Sequence, residues 1–138
     1  MDNYFEPQLD KQALLGVTAL GLAHMGDCVF ELLVRTWLVA HGGSRVKDLH
    51  RATVAHVAAP AQAAQMDRML PLLTEAEQDI YRRGRNAHVH AVPKGATPQQ
   101  YAKATGLECL FGALYLSGQR DRINELFCLT LEENAHAL

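Results

Sequence analysis

Apolar residues recur at intervals of three and four along almost the whole chain, the spacing that lays one stripe down a helix, and no strand-like alternation runs for a useful length. Helix start and stop signals divide this pattern into about seven blocks. After a tail over 1–9, Asp10 opens a helix from Lys11 to Leu22, and a second runs from Met25 to Ala40 before Gly42 and Gly43. Ser44 caps a third that reaches Ala58, and Pro60 starts a fourth that Pro71 closes. Thr74 and Glu77 have the spacing of a capping box, which predicts a fifth helix from Glu75 to Arg83 that stops at Gly84. Thr97 and Gln100 repeat the signal with Pro98 at the first helical position, and the sixth helix extends to Leu116 on the stripe Leu107, Leu110, Phe111, Leu114. Ser117 and Gly118 break it, and a seventh covers Gln119 to Ala135. The expected fold class is all-α, one domain over 1–138, long enough to bury about two thirds of its unfolded surface.

Two acids interrupt that apolar logic. In "LAHMGDCVFELLVR", Asp27 and Glu31 stand one turn apart on the same helical face, where like charges repel and an ionised carboxylate needs a partner. Arg35 stands at the favourable position to neutralise Glu31, which leaves Asp27 without an obvious cation. Glu108 repeats the problem on the sixth helix: Ala104, Thr105, Phe111 and Gly112 flank it one turn either way, and none carries charge. If the second and sixth helices pack together through Gly26 and Gly112, the two acids face one another and invite a divalent cation. Mg²⁺ needs only one or two protein carboxylates, and such an ion polarises a phosphodiester and acidifies a bound water. The alternative from spacing alone has Asp27 solvated and Glu108 on the surface.

Composition adds a charge asymmetry. With 49% hydrophobic and 20% charged residues the chain reads as globular, and its net charge of -2 conceals a stretch from Arg82 to Leu107 with no acid. That stretch holds Arg82, Arg83, Arg85, Lys94 and Lys103, with His88 and His90 in the connection "NAHVHAVPKGA", and a second basic segment carries Arg45, Lys47 and Arg51. Local field, more than net charge, steers a polyanion, so two such segments point to an anionic ligand. Cys28, Cys109 and Cys128 are odd in number and widely spaced, and read as reduced core residues. An acidic amino terminus without Arg and the lack of a long apolar run lead to the expectation of a cytoplasmic protein, with no membrane involved.

These segments resemble a known family. "LAHMGDCVFELLVR" is similar to the "LEFLGDSVL" signature of ribonuclease III domains, and "ATGLECLFGALYL" to their second acidic motif. The likeness is closer still to the Mini-III family, free-standing ribonuclease III domains without a double-stranded RNA-binding module. "LHRATVAHVAAPAQA", "LTEAEQDIYRRGRNA" and "TPQQYAKATGLECLFGALYL" carry it in order, from about Leu15 to Glu125.

The resemblance implies a homodimeric, Mg²⁺-dependent endoribonuclease, with Mn²⁺ able to substitute, that cuts double-stranded RNA and leaves a 5′-phosphate. The implied substrate is precursor of 23S ribosomal RNA, with a ribosomal protein bound to it as a further partner. Carried over by position, Asp27 and Glu108 match metal-site acids that do the catalysis. Arg82, Arg83, Arg85 and Asn86, with Lys94 and Lys103, are the expected RNA contacts. Glu31 matches no ribonuclease III ligand and stands as support for the site or as the partner of Arg35. Ribonuclease III carries further acids where this chain has Ala23 and Thr105, which puts the number of metal ligands in question. Two rival readings are a catalytically silent RNA- or ribosome-binding module, against which Asp27 and Glu108 speak, and a small-ligand or metal binder built on His24, His50 and His56.

Overall fold

The computed structural model describes residues 2–42, 45–87 and 91–137, with side chains to residue 131. Its described residues form helices joined by turns: α1 (Lys11–Leu15), α2 (Ala19–Ala40), α3 (Val46–Val57), α4 (Ala59–Met69), α5 (Glu75–Arg85), α6 (Pro98–Leu116) and α7 (Arg120–Ala137), with a single 3₁₀ turn at Leu70–Leu72 after α4. None of these helices is long and apolar enough to cross a membrane.

Capping chemistry sets most of the boundaries. Both capping boxes form: Thr74 and Glu77 cap the start of α5, and Thr97 and Gln100 cap the start of α6, each with the side chain and backbone bonds in both directions. The first break lies elsewhere than the sequence suggests. Gly16 ends α1, Thr18 accepts from the Gly21 N–H, and α2 then runs without interruption through Leu22 to Ala40. A side-chain cap at Thr18 outweighs the weak break expected after Leu22, so Asp27 lies inside a helix of 22 residues and far from its ends. Ser44 lies outside the described residues, and Arg45 occupies the N-cap of α3 without a side-chain bond.

Helix α6 is the central element. It packs chiefly against α2, then α5 and α4, and α3 covers the outside of α2. Phe30 of α2 meets Phe111 of α6 and Phe127 of α7 edge to face, with ring centres 5.5 and 5.8 Å apart. Met66, Met69, Leu107, Leu110 and Leu126 fill the space around them. A smaller cluster of Leu22, Ala23, Cys109 and Ala113 seals the other side of α6.

Glycines decide how near the helices come. A Cβ on Gly26 would overlap the Glu108 carbonyl, and one on Gly112 would overlap the Leu22 carbonyl oxygen, so α2 and α6 cross backbone to backbone. On the opposite flank Gly84 of α5 lies against Cys109 and Gly106 of α6. Gly84 therefore does not stop the fifth helix, which continues to Arg85. A close helix contact retains this glycine inside the element. Arg122 of α7 ties down the far end of α5: it pairs with both Glu77 oxygens at 2.9 Å and donates to the Leu72 carbonyl at 3.0 Å. The fork on Glu77 holds that carboxyl below its usual range.

The cysteines are free, and only Cys109 is buried. Cys28 and Cys128 are exposed, contrary to the core placement expected, because each sits on the helix face turned away from the Phe30 cluster. Burial raises the Cys109 thiol to about 11, with the Arg83 charge opposing.

Candidate active site at the α2–α6 crossing

Asp27 follows the glycine that seats α2 on α6, and Glu108 supplies the carbonyl against which that glycine rests. The two acids thus flank one helix crossing, and their closeness follows from the absence of side chains at Gly26 and Gly112. Glu108 is half-buried, and its carboxyl is raised to about 8, first by burial and then by the negative charge of Asp27. Asp27 reaches the solvent edge. It is raised as well, by desolvation and then by Glu31, with His24 pulling the other way. Neither carboxylate accepts a hydrogen bond or ion pair from a described residue.

Glu31 differs. It pairs with Arg35 at 2.9 Å, so its own charge is answered while it still adds negative potential at Asp27. The positions where ribonuclease III carries further acids are closed here: Ala23 is packed in the small core cluster, and the buried Thr105 hydroxyl donates to the Tyr101 carbonyl at 2.9 Å. The donor set is therefore two carboxylates that repel each other and lack a cation. It suits a hard divalent ion, which would lower both raised proton affinities and complete its shell with water and phosphate oxygens.

A groove of about 400 Å³ opens from Glu108. The α3–α4 turn at Val57 to Pro60 lines it on one side, Tyr101 and Ala104 of α6 line it with Glu108, and the turn Pro93 to Ala96 adds Lys94 to the same groove. Gly95 makes that turn possible with φ +93. Gln62 of α4 also lines the groove.

The other cations divide. Arg82 and Arg85 share a shallow cavity of about 380 Å³ with Gln78 and Tyr81 on the outer face of α5. Arg82 pairs with Asp79 at 2.6 Å, and the Arg85 guanidinium lies 5.7 Å from the centre of the Tyr81 ring. Lys103 is held by Asp67 at 2.7 Å near the same tyrosine. Asn86 caps α5 and accepts from Arg85 Nε at 3.4 Å. Arg83 points away from this group. It donates to the Val17 carbonyl at 3.1 Å and lies near the Cys109 thiol, so it fastens the α1–α2 junction to α5.

The histidines do not converge. His56 bonds the Ala52 carbonyl and packs on Trp37 at 5.7 Å, His50 lines a cavity between α2 and α3, and His24 stands beside Asp27. Among the described residues no three His, Cys, Asp or Glu side chains gather as a metal site, so the histidine-based reading finds no support there. His88 and His90 lie outside the described residues. Sequence reasoning passed over Gln62 and Tyr101. Their only signal was position, a polar side chain on the inward stripe of a short helix and another one turn before Thr105.

Comparisons agree with this architecture. The ribonuclease III domain profile matches residues 20–119. The chain is 49% identical over 112 residues to the Mini-ribonuclease 3 of Symbiobacterium thermophilum, covering 81% of this chain and 86% of that one. It is 43% identical over 124 residues to that of a Thermoanaerobacter species, covering 90% and 87%. A crystal structure of a Fusobacterium nucleatum protein superposes with a TM-score of 0.80 at 26% identity, covering 86% of this chain and 95% of that one. With its acids at a glycine-seated crossing and its length matched by these relatives, the chain belongs to the ribonuclease III domain family, among the Mini-ribonuclease 3 proteins.

Proposed function

We propose that this endoribonuclease hydrolyses double-stranded RNA with Mg²⁺ held between Asp27 and Glu108, with Mn²⁺ as a substitute. The observation that carries the reading is the pair of unpartnered, mutually repelling carboxylates beside a groove that also presents Lys94. A divalent ion there supplies Lewis acidity toward the scissile phosphate and a more acidic attacking water. Asp27 and Glu108 must both be ionised to hold it, Gly26 and Gly112 fix their separation, and Glu31 keeps the local potential negative. Lys94 meets phosphate at the groove, while Arg82, Arg85, Asn86 and Lys103 offer a second cationic surface to the backbone of an A-form duplex.

A homodimer fits a second, apolar face of the protein. Phe5, Met25, Cys28, Leu32 and Tyr115 line a groove of about 520 Å³ there, and Leu32 is 60% exposed. Two protomers joined across it would bring two sites to the two strands of one duplex. The substrate we assign is precursor of 23S ribosomal RNA in the cytoplasm, presented with a ribosomal protein. Accumulation of unprocessed 23S ends in cells depleted of this protein would support that assignment, and normal ends would refute it.

The direct test incubates end-labelled duplex RNA with wild type, Asp27→Asn and Glu108→Gln, with and without Mg²⁺. Metal-dependent cutting by wild type alone, from three equally folded proteins, is expected. Undiminished cutting by both variants would overturn the site.

A further inference from the structure

Gln62 sits near the start of α4 and is only 1% exposed, yet its side-chain amide makes no hydrogen bond to any described residue. A polar side chain packed inside a protein ordinarily finds a hydrogen-bond partner there. Gln62 differs from Gln65 on the same helix, whose Oε1 is sealed off without a partner. Gln62 instead lines the groove that holds Glu108, Lys94 and Tyr101. An amide on a side chain almost wholly packed in the protein, without a partner there and lining a reaction groove, is set to bond what enters it.

The chemistry of that visitor can be narrowed. Glu108 is suited to a cation and Lys94 to a phosphate oxygen, whereas a neutral amide carries one donor group and one acceptor and matches a partner that also both donates and accepts. A phosphate only accepts. Ribose 2′-hydroxyls do both, and they line the minor groove of an A-form duplex. The groove, of about 400 Å³, extends from Glu108 past Tyr101 to Gln62 and Lys94, which leaves room for a sugar away from the acid.

We infer that Gln62 is a specificity residue that hydrogen-bonds a ribose 2′-hydroxyl beside the scissile phosphate and so makes cleavage depend on RNA. The inference rests on the duplex-RNA reading above. Gln62 touches substrate and leaves metal binding to the two acids.

The test crosses one side chain with one oxygen. Gln62→Met keeps length and removes the amide, and Gln62→Asn withdraws it by one methylene. Each is assayed, with melting temperature and Mg²⁺ dependence as controls, on an all-ribose duplex and on duplexes with single 2′-deoxy residues stepped across the cut site. Expected are a loss of about ten-fold in kcat/KM for both variants on the all-ribose duplex, and a similar loss for wild type at one deoxy position. At that position neither variant should lose more. A further ten-fold loss there by the variants, or unchanged cutting of the all-ribose duplex by both, would overturn the inference and leave the nuclease reading intact. A misfolded Gln62→Met leaves Gln62→Asn and the wild-type deoxy scan to decide it by the same criteria. Wild type inactive on every duplex would overturn both readings together.

Discussion

Gly26 lies so close to the Glu108 carbonyl that a methyl group in place of its hydrogen would occupy the same space. This contact determines both the packing of the two longest helices and the distance between the acids. Gly26→Ala must push α2 from α6 along backbone, which has no rotamer to yield. The expected cost is about 3 kcal/mol, the upper end for overpacking, or a drop on the order of 10 °C in melting temperature. Thermal unfolding followed by circular dichroism measures it, and a near-native transition would show that the crossing is looser than described.

Glu108 makes stability respond to pH in the opposite sense to an ordinary paired acid. Its carboxyl in the folded protein is pushed up to about 8 from the ordinary 4.5, so the folded state holds a proton that the unfolded chain has released. The stabilisation is complete below about 4.5 and is lost as pH rises through about 8. Metal-free protein should therefore melt progressively lower across that window, and Glu108→Gln should flatten the trend. Added Mg²⁺ reverses it, because the ion binds the ionised pair, so its affinity and its effect on melting temperature should grow with pH. Parallel melting curves for wild type and Glu108→Gln at every pH would contradict this.

Neighbouring arginines should separate in their effects. Arg85 is exposed on the Tyr81 ring, and Arg85→Ala is expected to weaken duplex binding and reduce the slope of log affinity against log salt by about one. Arg83 holds the Val17 carbonyl, so Arg83→Ala should lower the melting temperature and leave that slope alone. Filter binding over a salt series resolves the two. Identical slopes for wild type and Arg85→Ala would remove Arg85 from the RNA surface.

Leu32 tests association. Replacing it with Glu puts a charge on the apolar face without disturbing the buried stripe of α2. Sedimentation equilibrium should show wild-type dimer and Leu32→Glu monomer, each with unchanged helix content. A dimeric Leu32→Glu protein would direct the interface elsewhere.

The helical pattern, both capping boxes and the crossing of the second and sixth helices could be read from residue spacing. Side-chain oxygens and small residues leave local signatures, and Gly26 and Gly112 sit where close packing needs them. The first helix break could not be placed, because Thr18 competes with Gly16 and with the polar residues near Met25 on nearly equal terms. Arg83 looked like its neighbours because sequence shows charge and hides direction; one turn of helix sends Arg82 and Arg85 outward and Arg83 to Val17. Gln62 escaped for a related reason. A neutral amide among alanines becomes informative only when its surroundings are known to offer it nothing.

Helix α6 is gripped from both flanks within one short span, by Gly84 at Gly106 and Cys109 and by Gly26 at Glu108 and Gly112. Adding or deleting one residue in that span would swing everything beyond it by about 100° and unseat one flank whichever way the helix settled. The span can accept exchanges of residues but not a change of length, and its residue count works as a gauge block that keeps the acid aimed at its partner.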